Sequence, residues 1–339
     1  MAKVLTIYEV LRMNRLFWSS AMLCGLLLSA GVTGGESPAN VPPRLTLQQL
    51  RQMYASPVDR VIDVDGVEVY YRDEGQGPAI LLIHGSNSTL RTYDDVARQL
   101  SQHYRVVRYD IPPNGLSGPV PNAVVGRLRP SDVPAHILAK LGIRKVTVAG
   151  VSSGGTTAIF LAAEYPQLVE RVIVSCSPSD PVDMSKLKRS AALEEAERTY
   201  GGYLDASRAK PKQFWRIYAD FYSGVPGRMS DRTVQEMYDF SRRIPDDNAT
   251  ALVGVVADQP KAIAAMNAVR VPVLLLWGAS DPLLPPPAAL TLSRHLINAS
   301  VSILLLPDVS HYPPIEVPER YAAILVNYIE QVTPLGNRQ

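Results

Sequence analysis

Apolar and polar positions follow two rhythms along this chain. From residue 58 the period is two: a run at 60–64, an Asp65-Gly66 break, a second run at 67–72, then the turn residues Gly75-Gln76-Gly77-Pro78. Two such runs joined by Asp-Gly predict a β-hairpin. Beyond it, continuous apolar stretches at 79–83, 104–109, 145–151, 171–176, 271–277 and 300–306 are interleaved with helical spacing at 90–102, 131–141, 153–165, 286–296 and 318–332. Strands apolar on both faces and separated by helices predict an α/β fold with a mostly parallel, doubly wound sheet. Upstream, Thr46-Leu47-Gln48-Gln49 offers a capping box for a short helix to residue 55.

The alternation breaks at 178–247, a charged stretch without a strong strand run, which predicts a helical insertion. Within it Phe214, Tyr218, Phe221 and Tyr222, with Trp215 beside them, fall at helical spacing. Such a stripe either packs the insertion's own core or roofs a pocket. The chain therefore divides into residues 1–35, a linker with a short helix at 36–57, an α/β core at 58–177 and 248–339, and the insertion.

Residues 16–32 are apolar and nearly uncharged, with Arg12 and Arg15 before them and small residues after, the order of a secretory signal. A start at Met13 rather than Met1 makes that signal compact, and an uncleaved anchor is the alternative. The expected location is the periplasm or the exterior, with membrane attachment only through this segment. Cys24 lies inside the apolar run rather than after it, which disfavours a lipid-attachment site. Removing residues 1–34 takes Lys3, Arg12, Arg15 and Glu9 from the 34 basic and 32 acidic residues and leaves 31 of each. So balanced a chain, without a basic run, is not built for nucleic acid. Cys176 is then the one cysteine left, in a setting that reads as a buried strand thiol, and it forms no internal disulfide.

Chemistry enters at Gly150-Val151-Ser152-Ser153-Gly154, a G-x-S-x-G run between an apolar strand and a helix. A serine on so tight a turn needs small neighbours, and the helix start turns backbone N–H groups toward any oxyanion formed there. A serine hydroxyl needs a base, and the base an orienting acid. Asp281 stands just past the strand ending at Trp277, and His311 just past the one ending at Leu306. Groups beyond the carboxyl ends of parallel strands converge on one edge. Asp180 and Asp183, after the strand at 171–176, are rival acids. His84-Gly85-Ser86-Asn87 follows the strand at 79–83, where backbone supplies a donor that pairs with the N–H of Ser153 as an oxyanion hole. His84 reads as a structural residue of its turn, and His103, His136 and His295 as solvated. No Cys, His, Asp and Glu spacing matches a metal site, and no cofactor is expected.

These pieces, in this order, resemble the α/β-hydrolase superfamily. The matching segments are Asp65-Gly66, Leu82-Ile83-His84-Gly85, Tyr109-Asp110 with Gly115-Leu116-Ser117-Gly118, the Ser152 turn, Trp277-Gly278-Ala279-Ser280-Asp281 with Pro285, and Ser310-His311 with Glu316-Val317-Pro318-Glu319. The resemblance implies Ser152 as nucleophile, His311 as base, Asp281 as acid, Ser86 and Ser153 as backbone oxyanion donors, and 178–247 as a cap. It implies a serine hydrolase of a small-molecule carboxylic ester or related acyl substrate, in the carboxylesterase class, with C–C hydrolase, lactonase and perhydrolase chemistry open on the same triad. Relatives that open epoxides or displace halides carry a carboxylate where Ser152 stands, and many C–C hydrolases a His-Gly run richer in glycine and proline. A non-catalytic ligand-binding scaffold is the rival of another class, which loss of a triad member would favour; all three are present.

Overall fold

The computed structural model describes residues 41–202 and 205–332. The expected signal at 1–35, with Met13 and Cys24, lies outside the described residues. Eight strands form one sheet: β1 (Arg60–Val64), β2 (Val67–Glu74), β3 (Ala79–Ile83), β4 (Arg105–Tyr109), β5 (Val146–Val151), β6 (Val169–Ser175), β7 (Val273–Gly278) and β8 (Val301–Leu306), in the order β1-β2-β4-β3-β5-β6-β7-β8. β2 is antiparallel to β1 and β4, and from β4 to β8 every pairing is parallel. The predicted hairpin turns on Asp65 and Gly66, both at positive φ (52° and 85°), the backbone a two-residue I′ turn demands.

The helices are α1 (Leu47–Tyr54), α2 (Asp94–Leu100), α3 (Asp132–Lys140), α4 (Ser153–Glu164), α5 (Ala191–Tyr200), α6 (Lys212–Phe221), α7 (Asp231–Ser241), α8 (Gln259–Ala268), α9 (Pro287–His295), α10 (Pro313–Glu316) and α11 (Pro318–Gln331). The capping box at Thr46 forms as expected. One sheet face packs on α3, α4, α8 and α9 through residues such as Leu138, Leu161, Met266 and Leu292. The other packs on α2 and α11 through Val96, Leu100, Tyr321 and Leu325. Val106 and Val107 of β4 point to opposite clusters, so alternation along one strand feeds both layers.

Three expectations change. The helix at 90–102 begins as a 3-10 turn at Leu90–Tyr93, capped by Thr89, and becomes α2 only at Asp94. α8 was not anticipated: Gln-Pro-Lys-Ala-Ile-Ala-Ala-Met-Asn-Ala has few large apolar side chains, and its signal is Asp258 as N-cap with proline in the first turn. Cys176 is buried but lies one residue past β6, at φ 46°. The stretch between β6 and α8 is helical as predicted, holding α5, α6 and α7. Its aromatic stripe forms a separate cluster in which Phe214, Trp215, Tyr218 and Tyr222 meet Met229, Val234 and Tyr312.

Candidate active site

Ser152 is the hinge between β5 and α4, with φ 54° and ψ −127°. A non-glycine residue held there stores on the order of 1–3 kcal/mol, so surrounding packing must fix it. Both glycines of the motif are required by close approach. A Cβ on Gly150 would overlap the Gly154 carbonyl, and one on Gly154 the carbonyls of Ile83 and His84. The serine backbone is tied down by its N–H to Ser175 O at 2.8 Å and by the Ser177 hydroxyl on its carbonyl. Its side chain is left to other work. The leading N–H groups of α4 lack intrahelical acceptors and put a partial positive charge beside it.

Asp281 and His311 stand past β7 and β8. His311 Nδ1 is 2.8 Å from Asp281 Oδ2, and both residues are buried, at 3 % exposure each. The other carboxylate oxygen accepts from the N–H groups of Leu283 and Leu284 at 2.9 and 3.0 Å. A carboxylate so held presents only an acceptor to the ring, which places the imidazole proton on Nδ1 and the lone pair on Nε2. Asp180 is exposed and bonds the Ser179 hydroxyl, while Asp183 caps a turn at Ser185; the ring meets neither.

Sheet register puts Ser152 on the same edge as this pair. Val151 pairs with Ser175, so Ser152 lies beside Cys176, whose sulfur is within 4.8 Å of donor atoms of both Asp281 and His311. Among the described residues no hydrogen bond joins Ser152 Oγ to His311 Nε2. Such contacts tighten when substrate binds. Cys176, Asp281 and His311 are also the one group among the described residues whose donor atoms come close enough for a metal ion, which spacing along the chain did not reveal. The carboxylate and ring already satisfy each other, and the sulfur accepts the Gly278 N–H at 3.4 Å. The donor set thus fits a hydrogen-bonded pair. Burial and the nearby Asp281 carboxylate push the Cys176 thiol well up. In a chain beginning at residue 36, Cys176 is expected to stay unreactive toward a disulfide reagent at pH 8 until the protein is denatured; stoichiometric reaction of the folded protein would contradict this burial.

The profile of the family described as alpha/beta hydrolase fold matches residues 78–318. The chain belongs to the alpha/beta hydrolase family. The pimeloyl-[acyl-carrier protein] methyl ester esterase of Nitrosospira multiformis is 24% identical over 270 residues, 77% of this chain and 98% of that protein. A 2-hydroxy-6-oxononadienedioate/2-hydroxy-6-oxononatrienedioate hydrolase of Paraburkholderia phymatum is 25% identical over 282 residues, 78% of this chain and 92% of its own. A solved structure, a putative aryl esterase from Burkholderia cenocepacia, superposes with a TM-score of 0.64 at 20% identity, covering 80% of this chain and 98% of that one. These likenesses support a hydrolase.

In this α/β-hydrolase the loop after β3 is set by two buried groups. His84 Nε2 accepts the Ile111 N–H at 2.8 Å while Nδ1 bonds Gly85 O at 2.7 Å; desolvation brings its pKa down to about 4. Both ring nitrogens are thus engaged by backbone, Gly85 O of its own turn and the Ile111 N–H. Asp110 accepts from the N–H groups of Leu90 and Leu116, both at 2.7 Å. Between them Ser86 and Asn87 are exposed, and the Ser86 hydroxyl donates to Ser153 Oγ at 3.0 Å. The two predicted oxyanion residues are thus brought together. His103 and His136 are exposed, and His295 is half-buried.

A polar cleft of about 50 Å³ separates that loop from α7, between Arg91 on the core and Glu236 on the insertion, 3.8 Å apart. Burial pushes Glu236 up to about 7, against the pull of Arg91 and Arg232 and with the push of Asp94 and Asp95. Between the ordinary carboxylate range and pH 7 the folded protein keeps a proton that the unfolded chain releases. Stability from this group therefore falls as pH rises through that window and is level above it. Glu236→Gln stays neutral, so its unfolding free energy, from denaturant melts, is expected to gain on wild type from pH 5 to pH 8 by on the order of 1–2 kcal/mol. A gap that stays constant with pH would refute the assignment. No described helix is long and apolar enough to cross a membrane.

Proposed function

We propose that this protein is a serine hydrolase that cleaves a carboxylic ester through an acyl-enzyme. The supporting observation is the oriented Asp281–His311 pair at the same sheet edge as a serine held in a strained strand-to-helix turn. In this reading Ser152 Oγ attacks the ester carbonyl as His311 Nε2 takes its proton, and Asp281 keeps the ring in that tautomer and steadies the imidazolium. The N–H groups of Ser86 and Ser153 receive the oxyanion, each contributing on the order of 3 kcal/mol. His311 then protonates the leaving alkoxide and activates water, which releases the acid and restores Ser152.

The name of the Nitrosospira multiformis relative favours ester cleavage, and so does Ser86-Asn87 in place of a glycine-rich run after His84-Gly85. A fluorophosphonate decides between an enzyme and an inert scaffold. The reading expects one phosphonyl group, located at Ser152 by peptide mass spectrometry, and loss of p-nitrophenyl acetate hydrolysis in step with labelling. An unlabelled, folded protein would sink it.

A further inference from the structure

Glu316 is buried on α10, five residues past His311, and its two oxygens face different parts of the molecule. Oε1 accepts from the N–H groups of Ser310 at 2.9 Å and Tyr312 at 3.4 Å, the residues that flank His311. Oε2 accepts from the Gly224 N–H at 2.6 Å and lies 3.3 Å from the Ser223 hydroxyl, whose one proton is shared with Val225 O at 2.9 Å, just past the end of α6 in the insertion. Arg228, from the same insertion segment, stands 3.7 Å from Oε2 and also binds the backbone and carboxylate of Asp308. Gly224 presses on the His311 loop so closely that a Cβ there would lie 2.8 Å from Val309 Cα and would overlap Asp308 O. The Tyr222 ring, two residues earlier, lies 5.8 Å from the imidazole.

We propose that Glu316 is a positioning residue that couples the placement of the insertion to the orientation of His311; this rests on the hydrolase reading above. The backbone N–H groups on both oxygens, and Arg228 beside Oε2, can only donate, so an acceptor on each oxygen is what the junction needs. An amide has one acceptor and an NH₂, and that NH₂ would face donors on one side. Glu316→Gln must therefore release either the His311 loop or the insertion. The consequence is a slower chemical step, because small displacements of a base from its proton are costly. A merely structural role would lower stability and leave the imidazole where it is.

The test combines turnover of p-nitrophenyl acetate with the low-field NMR resonance of the His311 Nδ1 proton, which reports the bond to Asp281 without needing turnover. Glu316→Gln is expected to lower kcat by at least about tenfold, with KM within about twofold, and to shift or broaden that resonance. The double variant Ser223→Ala/Arg228→Met removes two partners of Oε2 and, with Arg228, the contacts to Asp308, and leaves every contact of Oε1 in place. It is expected to lower kcat about threefold and to move the same resonance. A folded Glu316→Gln protein with wild-type kcat and resonance would overturn the coupling. So would a double variant that changes KM alone, and this arm decides if Glu316→Gln does not fold. Absence of fluorophosphonate labelling in the wild type would strike the hydrolase reading instead, while the resonance still reports on the coupling.

Discussion

Ser152→Ala is expected to reduce p-nitrophenyl acetate hydrolysis by at least about 10⁴-fold and to leave thermal unfolding unchanged. The variant keeps the Cβ, so packing against Gly85, where an added Cβ would come within 3.1 Å of Ser152 Cβ, is untouched. The backbone bonds of residue 152 to Ser175 and Ser177 involve its N–H and carbonyl only. Alanine bears the same positive φ as serine, so strain in the turn is conserved rather than relieved. What disappears is the one hydroxyl that the turn presents to the sheet edge. Any remaining rate would come from water activated by His311 beside the helix start. A folded variant within tenfold of wild type would mean that the acyl-enzyme route is wrong.

The parts of this site that sequence made legible are those encoded locally. An apolar strand, two glycines around a serine and a helix start are contiguous, so Ser152 and its backbone are readable from a few residues. Asp281 and His311 were legible one step further, because each follows an apolar strand and parallel strands deliver their carboxyl ends to one edge. Glu316 was visible only as part of a matching motif. It joins Ser310 to Gly224, which lies 92 residues before Glu316, and no periodicity announces which two loops will share a carboxylate. Cys176 looked like a strand residue because Val-Ile-Val-Ser-Cys is a β pattern; only the turn after β6 swings its sulfur under the Asp281–His311 pair. Helix α8 escaped for the opposite reason, since alanine-rich helices carry propensity without an apolar stripe.

The aromatic stripe packs as the insertion's own core, the first of the two readings its spacing allowed. Phe214 and Trp215 pack at ring distances of 5.4 Å inside the insertion, as core residues do. Tyr222 and Tyr312 continue the same cluster to the imidazole, with Tyr312 edge-on to His311 at 5.0 Å. The insertion thus meets the His311 ring through Tyr222, and the loop that carries His311 through the Glu316 carboxylate.

Asp281→Asn is the sharper test of the pair, with an expected loss of about 10⁴ in kcat at pH 7 and an intact fold. Asp281 Oδ1 accepts two backbone N–H groups, from Leu283 and Leu284. An asparagine must keep its oxygen there, because turning its NH₂ toward them would leave two buried donors unmet, at about 1–3 kcal/mol each. The NH₂ then faces His311 Nδ1 and can only donate to it. The ring responds by carrying its proton on Nε2, and the lone pair that would accept from Ser152 is gone. The rate should stay low through alkaline pH, since raising pH does not restore the lost tautomer. Asp180→Asn is the matched control: its carboxylate is exposed and bonds only the neighbouring Ser179 hydroxyl among the hydrogen bonds described, so the rate should match wild type. Wild-type activity in Asp281→Asn, or its loss in Asp180→Asn, would transfer the orienting role from Asp281 to another acid.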